Sequence, residues 1–126
     1  MPIVYLIRHG ETAWSVSGRH AGLTDLPLTS SRRAAAKLVG ARLRKIPFTQ
    51  VYTSPLRRAS LTCELASLPL DATVDGDLVE WDYGDYEGPR GAEIQAVRPG
   101  WNVFRDGCPG GESPEMYLPG RCGSWL

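Results

Sequence analysis

The sequence predicts an α/β domain layered about a mainly parallel sheet, on three observations. Strand-like and helix-like patterns alternate along the first half of the chain, a continuous apolar run opens it, and the chemistry-bearing residues fall where the expected strands end. At 126 residues, with 42% hydrophobic and 22% charged content, the chain has the size and composition of one soluble globular domain.

Ile3 to Ile7 is apolar at every position and rich in β-branched and aromatic residues, the pattern of a strand buried on both faces of a parallel sheet. A polar, glycine-bearing loop follows from Ser15 to Pro27. Thr29 is placed to N-cap a helix from about Ser30 to Lys45, with Ala34, Ala35, Leu38, Ala41 and Leu43 as its apolar face. Pro47 breaks that helix, and Thr49 to Thr53 reads as a second strand. Ser54 then caps a helix from Leu56 to about Ser67. Strand, helix, strand, helix implies right-handed crossovers, and Arg8, His9 and the Ser54 to Arg58 turn lie at carboxyl ends of strands, where such sheets bind ligands. A linker from Pro69 to Gly76 holds a brief third strand at Thr73 and Val74. Glu80 to Pro89 reads as loop and Ala92 to Arg98 as a short helix. From Cys108 onward Pro109, Gly110, Gly111, Pro114, Pro119, Gly120 and Gly123 forbid any long element, and the last dozen residues are expected to be unstructured.

Lysine plus arginine and aspartate plus glutamate each total 14, so no global charge draws the chain to nucleic acid or an anionic membrane, and any anion site must be local. The basic groups Arg32-Arg33 and Arg42 to Lys45 read as a solvated helix face. The opening apolar run is far too short to span a bilayer, and no secretion signal precedes it. Cys63, Cys108 and Cys122 are odd in number without CxxC spacing, which argues against a disulfide framework and a thiolate metal site; a reducing cytoplasm is the expected compartment.

Arg8-His9-Gly10-Glu11-Thr12 puts a guanidinium, an imidazole and a flexible glycine at the end of the first strand. Phosphoryl transfer asks a protein mainly for positive charge around the equatorial oxygens, which a guanidinium supplies in bidentate form. A neutral imidazole can attack phosphorus, and nearby guanidinium groups disfavour its protonation. Gly10 lets the backbone N–H approach an anion. Ser54 through Thr62 brings a helix N-terminus with Arg57 and Arg58 to the same sheet edge; Arg57 reads as a solvated helix position and Arg58 as the phosphate ligand. Leu78 to Gly88 mixes Glu80, Asp82, Asp85 and Glu87 with Trp81, Tyr83 and Tyr86, a setting able to hold a carboxyl group partly out of water, where it can protonate a leaving alcohol and then activate water. Composition does not choose among the four carboxylates.

These segments, with Gly22-Leu23-Thr24-Asp25-Leu26-Pro27-Leu28-Thr29 and Gly110-Gly111-Glu112-Ser113, resemble the histidine phosphatase superfamily over roughly residues 2 to 115. That superfamily includes the cofactor-dependent phosphoglycerate mutases and many broad-specificity phosphatases. The resemblance implies a three-layer α/β/α fold like that of phosphoglycerate mutase, incomplete at its C-terminal end. It implies that His9 is the catalytic nucleophile and becomes phosphorylated, that Arg8, Arg58, Ser15 and Gly10 bind the phosphate, and that Glu80 is the proton donor. Gly22, Leu23 and Thr24 would line the substrate mouth. The expected function is hydrolysis of phosphate monoesters on a small phosphorylated substrate, with no cofactor and no metal ion, since arginines supply the charge. The alternatives are a phosphomutase and a noncatalytic phosphate-binding remnant.

The sequence also departs from the family pattern. Ser15 stands where an Asn is usual, giving a shorter reach to phosphate. Arg32 replaces a helix-starting Gly. The family places a second catalytic histidine on a later strand, whereas this sequence holds His9 and His20 alone, and His20 sits in the first loop as an expected solvent-facing or substrate-edge residue. Residues 1–115 therefore read as a partial domain and 116–126 as a divergent tail, the product of truncation or an altered frame. An uncovered sheet edge invites self-association, and loss of one preorganised donor slows turnover by roughly 10²–10³.

Overall fold

The computed structural model describes residues 1–117. The expected tail therefore lies, from residue 118 onward, outside the described residues. The chain divides into two compact units, one made of Met1–Ala13 and Asp25–Val79, the other of Trp14–Thr24 and the described residues from Glu80.

In the first unit, helix α2 (Ser30–Leu43) begins after Thr29 as expected, although the Thr29 hydroxyl meets Ser31 Oγ rather than capping a backbone N–H. Strand β1 (Tyr52–Thr53), helix α3 (Arg57–Ala66) and strand β2 (Thr73–Val74) follow. β1 and β2 pair in parallel, Tyr52 with Thr73 and Thr53 with Val74, and α3 is the crossover that parallel pairing requires. The α/β class with a parallel sheet is thus realised, on a small scale. Ser54 lies two positions too early to cap α3: Leu56 occupies the N-cap, and its N–H donates to Ser54 Oγ at 3.3 Å.

Two expectations fail in this unit. Ile3 to Ile7 forms no regular strand, and Ile3, Val4 and Leu6 are largely exposed; Tyr5 is half-exposed and packs edge to face with Phe48, ring centroids 5.4 Å apart. A wholly apolar strand needs ladder partners and cover on both faces, and among the described residues the ladder extends only across β1 and β2. The buried face of α2 is also not the expected one. Ala34, Leu38 and Ala41 are exposed, while Ala36 and Gly40 are buried. The cause is the neighbouring helix: a Cβ on Gly40 would lie 1.9 Å from the Ala66 carbonyl oxygen, so α2 and α3 cross where both carry almost no side chain. Packing there is polar as well as apolar, with Thr12, Thr53, Ser54, Arg58 and Thr62 buried alongside Leu28, Ala36 and Ala66.

A single turn, α1 (Ala13–Val16), leads into the second unit, whose core is Ile94, Trp101 and Cys108 with Trp81, Tyr83, Tyr86 and Val103 packed on it. Ile94 belongs to helix α4 (Gly91–Val97), close to the expected Ala92 to Arg98. A turn missed in the sequence, α5 (Val103–Asp106), is capped by Asn102, whose side chain accepts from Phe104 N–H at 3.0 Å. Trp101 Nε1 donates to Gly107 O at 2.8 Å, so this aromatic is buried with its polar edge satisfied. The glycine pair Gly110-Gly111 lets two loops touch: Asp85 N–H donates to Pro109 O, Glu112 N–H to Asp82 O, and a Cβ on Gly111 would meet that Asp82 oxygen at 2.3 Å. No helix among the described residues is long and apolar enough to cross a membrane.

Candidate active site

His9 and Arg58 come together in the first unit. Arg58 sits in the first turn of α3, is 2% exposed, and donates from Nε to His9 Nε2 at 3.2 Å. The other imidazole nitrogen, Nδ1, lies 2.6 Å from the Gly10 carbonyl oxygen. A guanidinium can only donate and a carbonyl can only accept, so these two contacts select the neutral tautomer with hydrogen on Nδ1 and a lone pair on Nε2. The imidazole thus carries its lone pair on the side of a buried cation. Arg8 is exposed beside it in sequence.

The backbone after His9 is fastened at several points. Gly10 N–H donates to Thr62 Oγ1 at 3.4 Å, and that hydroxyl donates to Arg58 O at 2.7 Å, so Thr62 ties the loop to α3. Thr29 N–H donates to Glu11 O, and Thr12 bridges to Leu28. Arg32 grips the Glu11 carboxylate through both Nε, at 2.8 Å, and Nη2, at 2.6 Å. The replacement of a family glycine by Arg32 therefore adds a bidentate pair beside the Arg-His-Gly turn, and the Arg32 Cβ is already 3.0 Å from where a Gly10 Cβ would be. Asp25 Oδ1 accepts from Arg57 N–H at 2.6 Å and so caps the helix that carries Arg58. Thr62 and Asp25 lie within the sequence motifs but have no role legible there, because their part depends on neighbours distant in the chain.

The other expected site residues belong to the second unit. Ser15 is exposed in α1. Glu80 is exposed too, with its carboxylate accepting from the adjacent Trp81 N–H at 3.0 Å; the acidic residues that this loop holds partly out of water are Asp82 and Glu87 instead. The reason is that the loop aromatics turn to the Ile94, Trp101 and Cys108 core instead of covering Glu80. Of the other carboxylates, Asp82 accepts from Gly84 N–H, and Glu87 is engaged by the Gly22 to Thr24 loop. Burial pushes the Cys108 thiol up, opposed by a hydrogen bond from Trp81 and reinforced by the charges of Asp82 and Glu112.

His20 is not solvent-facing. Its ring packs against Tyr83 and Trp101, with centroids 5.0 and 5.8 Å away, and its Nδ1 lies 3.2 Å from Pro89 O. Backbone bonds from His20 N–H to Pro89 O and from Gly88 N–H to His20 O hold it there. Those pairings span most of the chain and leave no local trace in the sequence.

Comparison with known proteins matches this arrangement to one family. The profile of the histidine phosphatase superfamily (branch 1) matches residues 4–121. The chain is 46% identical to an acid phosphatase of Mycobacterium tuberculosis, over 86% of this chain and 54% of that protein. It is 38% identical to the sedoheptulose 1,7-bisphosphatase of Saccharomyces cerevisiae, over 91% of this chain and 51% of that enzyme. A solved structure of an open reading frame from Mycobacterium tuberculosis superposes with a TM-score of 0.78 at 44% identity, covering 86% of this chain and 56% of that one. The chain spans about half the length of the curated relatives it matches. On family profile, sequence and fold alike, the chain belongs to the histidine phosphatase superfamily, branch 1.

Proposed function

We propose that the chain carries the phosphoryl-accepting half-site of a phosphatase that hydrolyses phosphate monoesters through a phosphohistidine on His9. The observation that supports this most is the pair of contacts on the imidazole, Arg58 Nε on Nε2 at 3.2 Å and Gly10 O on Nδ1 at 2.6 Å, which leave Nε2 as the nucleophilic atom next to a fixed positive charge.

In this reading Nε2 attacks phosphorus, a P–N bond forms as the ester P–O bond breaks, and the leaving oxygen takes a proton, for which Glu80 is the donor. Water then attacks phosphorus and gives a proton to the ionised Glu80, the P–N electron pair returns to Nε2, and inorganic phosphate leaves. Arg8 and Arg58 balance charge on the equatorial oxygens, with Gly10 N–H and Ser15 as further phosphate ligands and Gly22, Leu23 and Thr24 as the substrate loop. The roles of Glu80, Ser15 and the loop rest on the family resemblance. Hydrolysis is supported by the relatives at 46% and 38% identity, an acid phosphatase and a bisphosphatase, while relatives at 37% identity named as probable phosphoglycerate mutases keep phosphoryl return to substrate as the alternative.

The test is turnover of phenyl phosphate by the purified chain without added metal, beside His9→Ala. Turnover that disappears in the variant, with acid-labile phosphate trapped on the native chain, is the expected result. Turnover surviving His9→Ala would overturn the assignment of the nucleophile. A folded native chain that binds phenyl phosphate but forms no phosphohistidine would turn the reading toward a noncatalytic phosphate binder, and transfer to an added alcohol in preference to water would turn it toward a mutase.

A further inference from the structure

We propose that Glu87 is a positioning residue: it fastens the Gly22 to Thr24 loop to the Trp81 to Gly88 loop, so that the substrate loop and the backbone bearing the proton donor form one body. The proposal rests on the substrate-loop assignment of the preceding reading. It also settles what the sequence left open for Glu87, since a carboxylate spent on one loop is not the proton donor.

The geometry is dense. Glu87 Oε1 accepts from Gly22 N–H at 2.5 Å, and Oε2 accepts from Thr24 N–H at 3.2 Å and from the Thr24 hydroxyl. Two backbone amides and one hydroxyl thus converge on a half-buried carboxylate, and charge-assisted bonds of this kind are roughly twice as strong as neutral ones. Either side of the clamp, backbone bonds continue the fastening: His20 N–H to Pro89 O, Gly88 N–H to His20 O, and a bridge between Arg19 and Arg90. Gly22 is buried so closely that a Cβ there would lie 2.0 Å from Trp81 O and 3.0 Å from the Tyr83 ring. Trp81 is the residue next to Glu80. A shift of the Gly22 to Thr24 backbone is therefore felt, through one main-chain contact, at the residue adjoining Glu80.

A carboxylate in this role acts on binding rather than on the chemical step. Releasing the clamp frees the loop to sample other positions, and a loop that is rarely in place weakens substrate affinity by the fraction of time it is absent. The loop amides are the direct reporter, because Gly22 and Thr24 N–H exchange with solvent only when the carboxylate lets go.

The experiment measures two quantities on the folded chain, Glu87→Gln and Thr24→Val: amide exchange at Gly22 and Thr24, and the Kd of phenyl phosphate by NMR titration, which needs no turnover. We expect exchange at both amides to rise at least tenfold in Glu87→Gln, and Kd to rise about tenfold with it. Thr24→Val should move both in the same direction by less, and should add little in the Glu87→Gln background, the coupling expected of two groups in one clamp. Thr24→Val changes no charge and keeps the test readable if Glu87→Gln unfolds. Unchanged exchange overturns the clamp. Faster exchange with unchanged Kd reduces Glu87 to a structural role. Where turnover is present, a fall in kcat without a change in Kd makes Glu87 a proton donor and overturns the proposal. Binding that responds as expected in a chain that cannot hydrolyse the ester sinks the phosphatase reading and leaves this one standing.

Discussion

Gly40→Ala is a change that ordinary helix energetics favours and this fold does not. In an exposed helix interior, alanine is better than glycine by about 1 kcal/mol. At Gly40 the new methyl would lie 1.9 Å from Ala66 O, 2.5 Å from Ala66 C and 2.6 Å from Ala66 Cα, all main-chain atoms that no rotamer change can move. Ordinary contact begins at 3.4 Å, so α3 must retreat from α2 by about 1.5 Å at that end. Overpacking of this kind costs about 1–3 kcal/mol, and a backbone clash belongs at the upper end. After the helix-propensity gain, a net loss of about 2 kcal/mol remains, or roughly 6–12 °C in Tm for a chain of this size. The same retreat acts on the helix that holds Arg58 against His9 Nε2, a contact that at 3.2 Å has little length to spare. Thermal unfolding followed by far-UV circular dichroism tests the first effect, with exposed Lys37→Ala in the same helix as control, and the His9 imidazole 15N shifts test the second. A Gly40→Ala chain as stable as the native one, with unmoved His9 resonances, would refute the close-crossing argument.

Two further outcomes follow from charges. Asp106 is held down to about 2 by the Arg105 side chain first and the Asn102 backbone N–H next; its unfolded carboxyl titrates near 3.9, so the unfolded chain binds the extra proton between those values. Its stabilising contribution is complete above about pH 4 and is lost as pH falls through about 2; the urea midpoint should drop across that window, and Asp106→Asn should remove this part of the slope. The Arg32 to Glu11 pair is exposed on both sides, so Arg32→Ala should lower Tm by less than about 5 °C in dilute buffer and by nothing measurable in 1 M salt. An equal loss at both ionic strengths would mean that the arginine stem, rather than its charge, packs the Gly10 turn.

How far the sequence spoke for the structure depended on how local each cause was. The start of α3 at Arg57, the brief strand at Thr73 and Val74, and α4 follow from punctuation and period within a few residues, and each is found close to its expected place. The α5 turn had a local signal too, an Asn ahead of Val103, which went unread. The face of α2 did not: Gly40 is buried because Ala66 approaches it, and a periodicity count rewards Leu38, which is exposed. Ile3 to Ile7 reads as a core strand because its composition reports what it would bury, while exposure depends on what stands next to it. In the candidate site, His9 with Arg58 was legible from two motifs of plain chemistry. The Glu87 clamp and the seat of His20 were not, since 65 and 69 residues separate the partners.

That separation has a consequence for how the chain is made. Each unit is assembled from two stretches, and the second unit's first stretch, Trp14–Thr24, leaves the ribosome long before its partners. At roughly 5–20 residues per second, the 65 residues between Gly22 and Glu87 correspond to about 3–13 s of synthesis. During that interval Asp25–Val79 can close on Met1–Ala13, and the intervening stretch waits as a loop with Trp14 and His20 unpaired. Folding of the second unit therefore lags that of the first, and the seconds in between are when a chaperone or a protease would meet this chain.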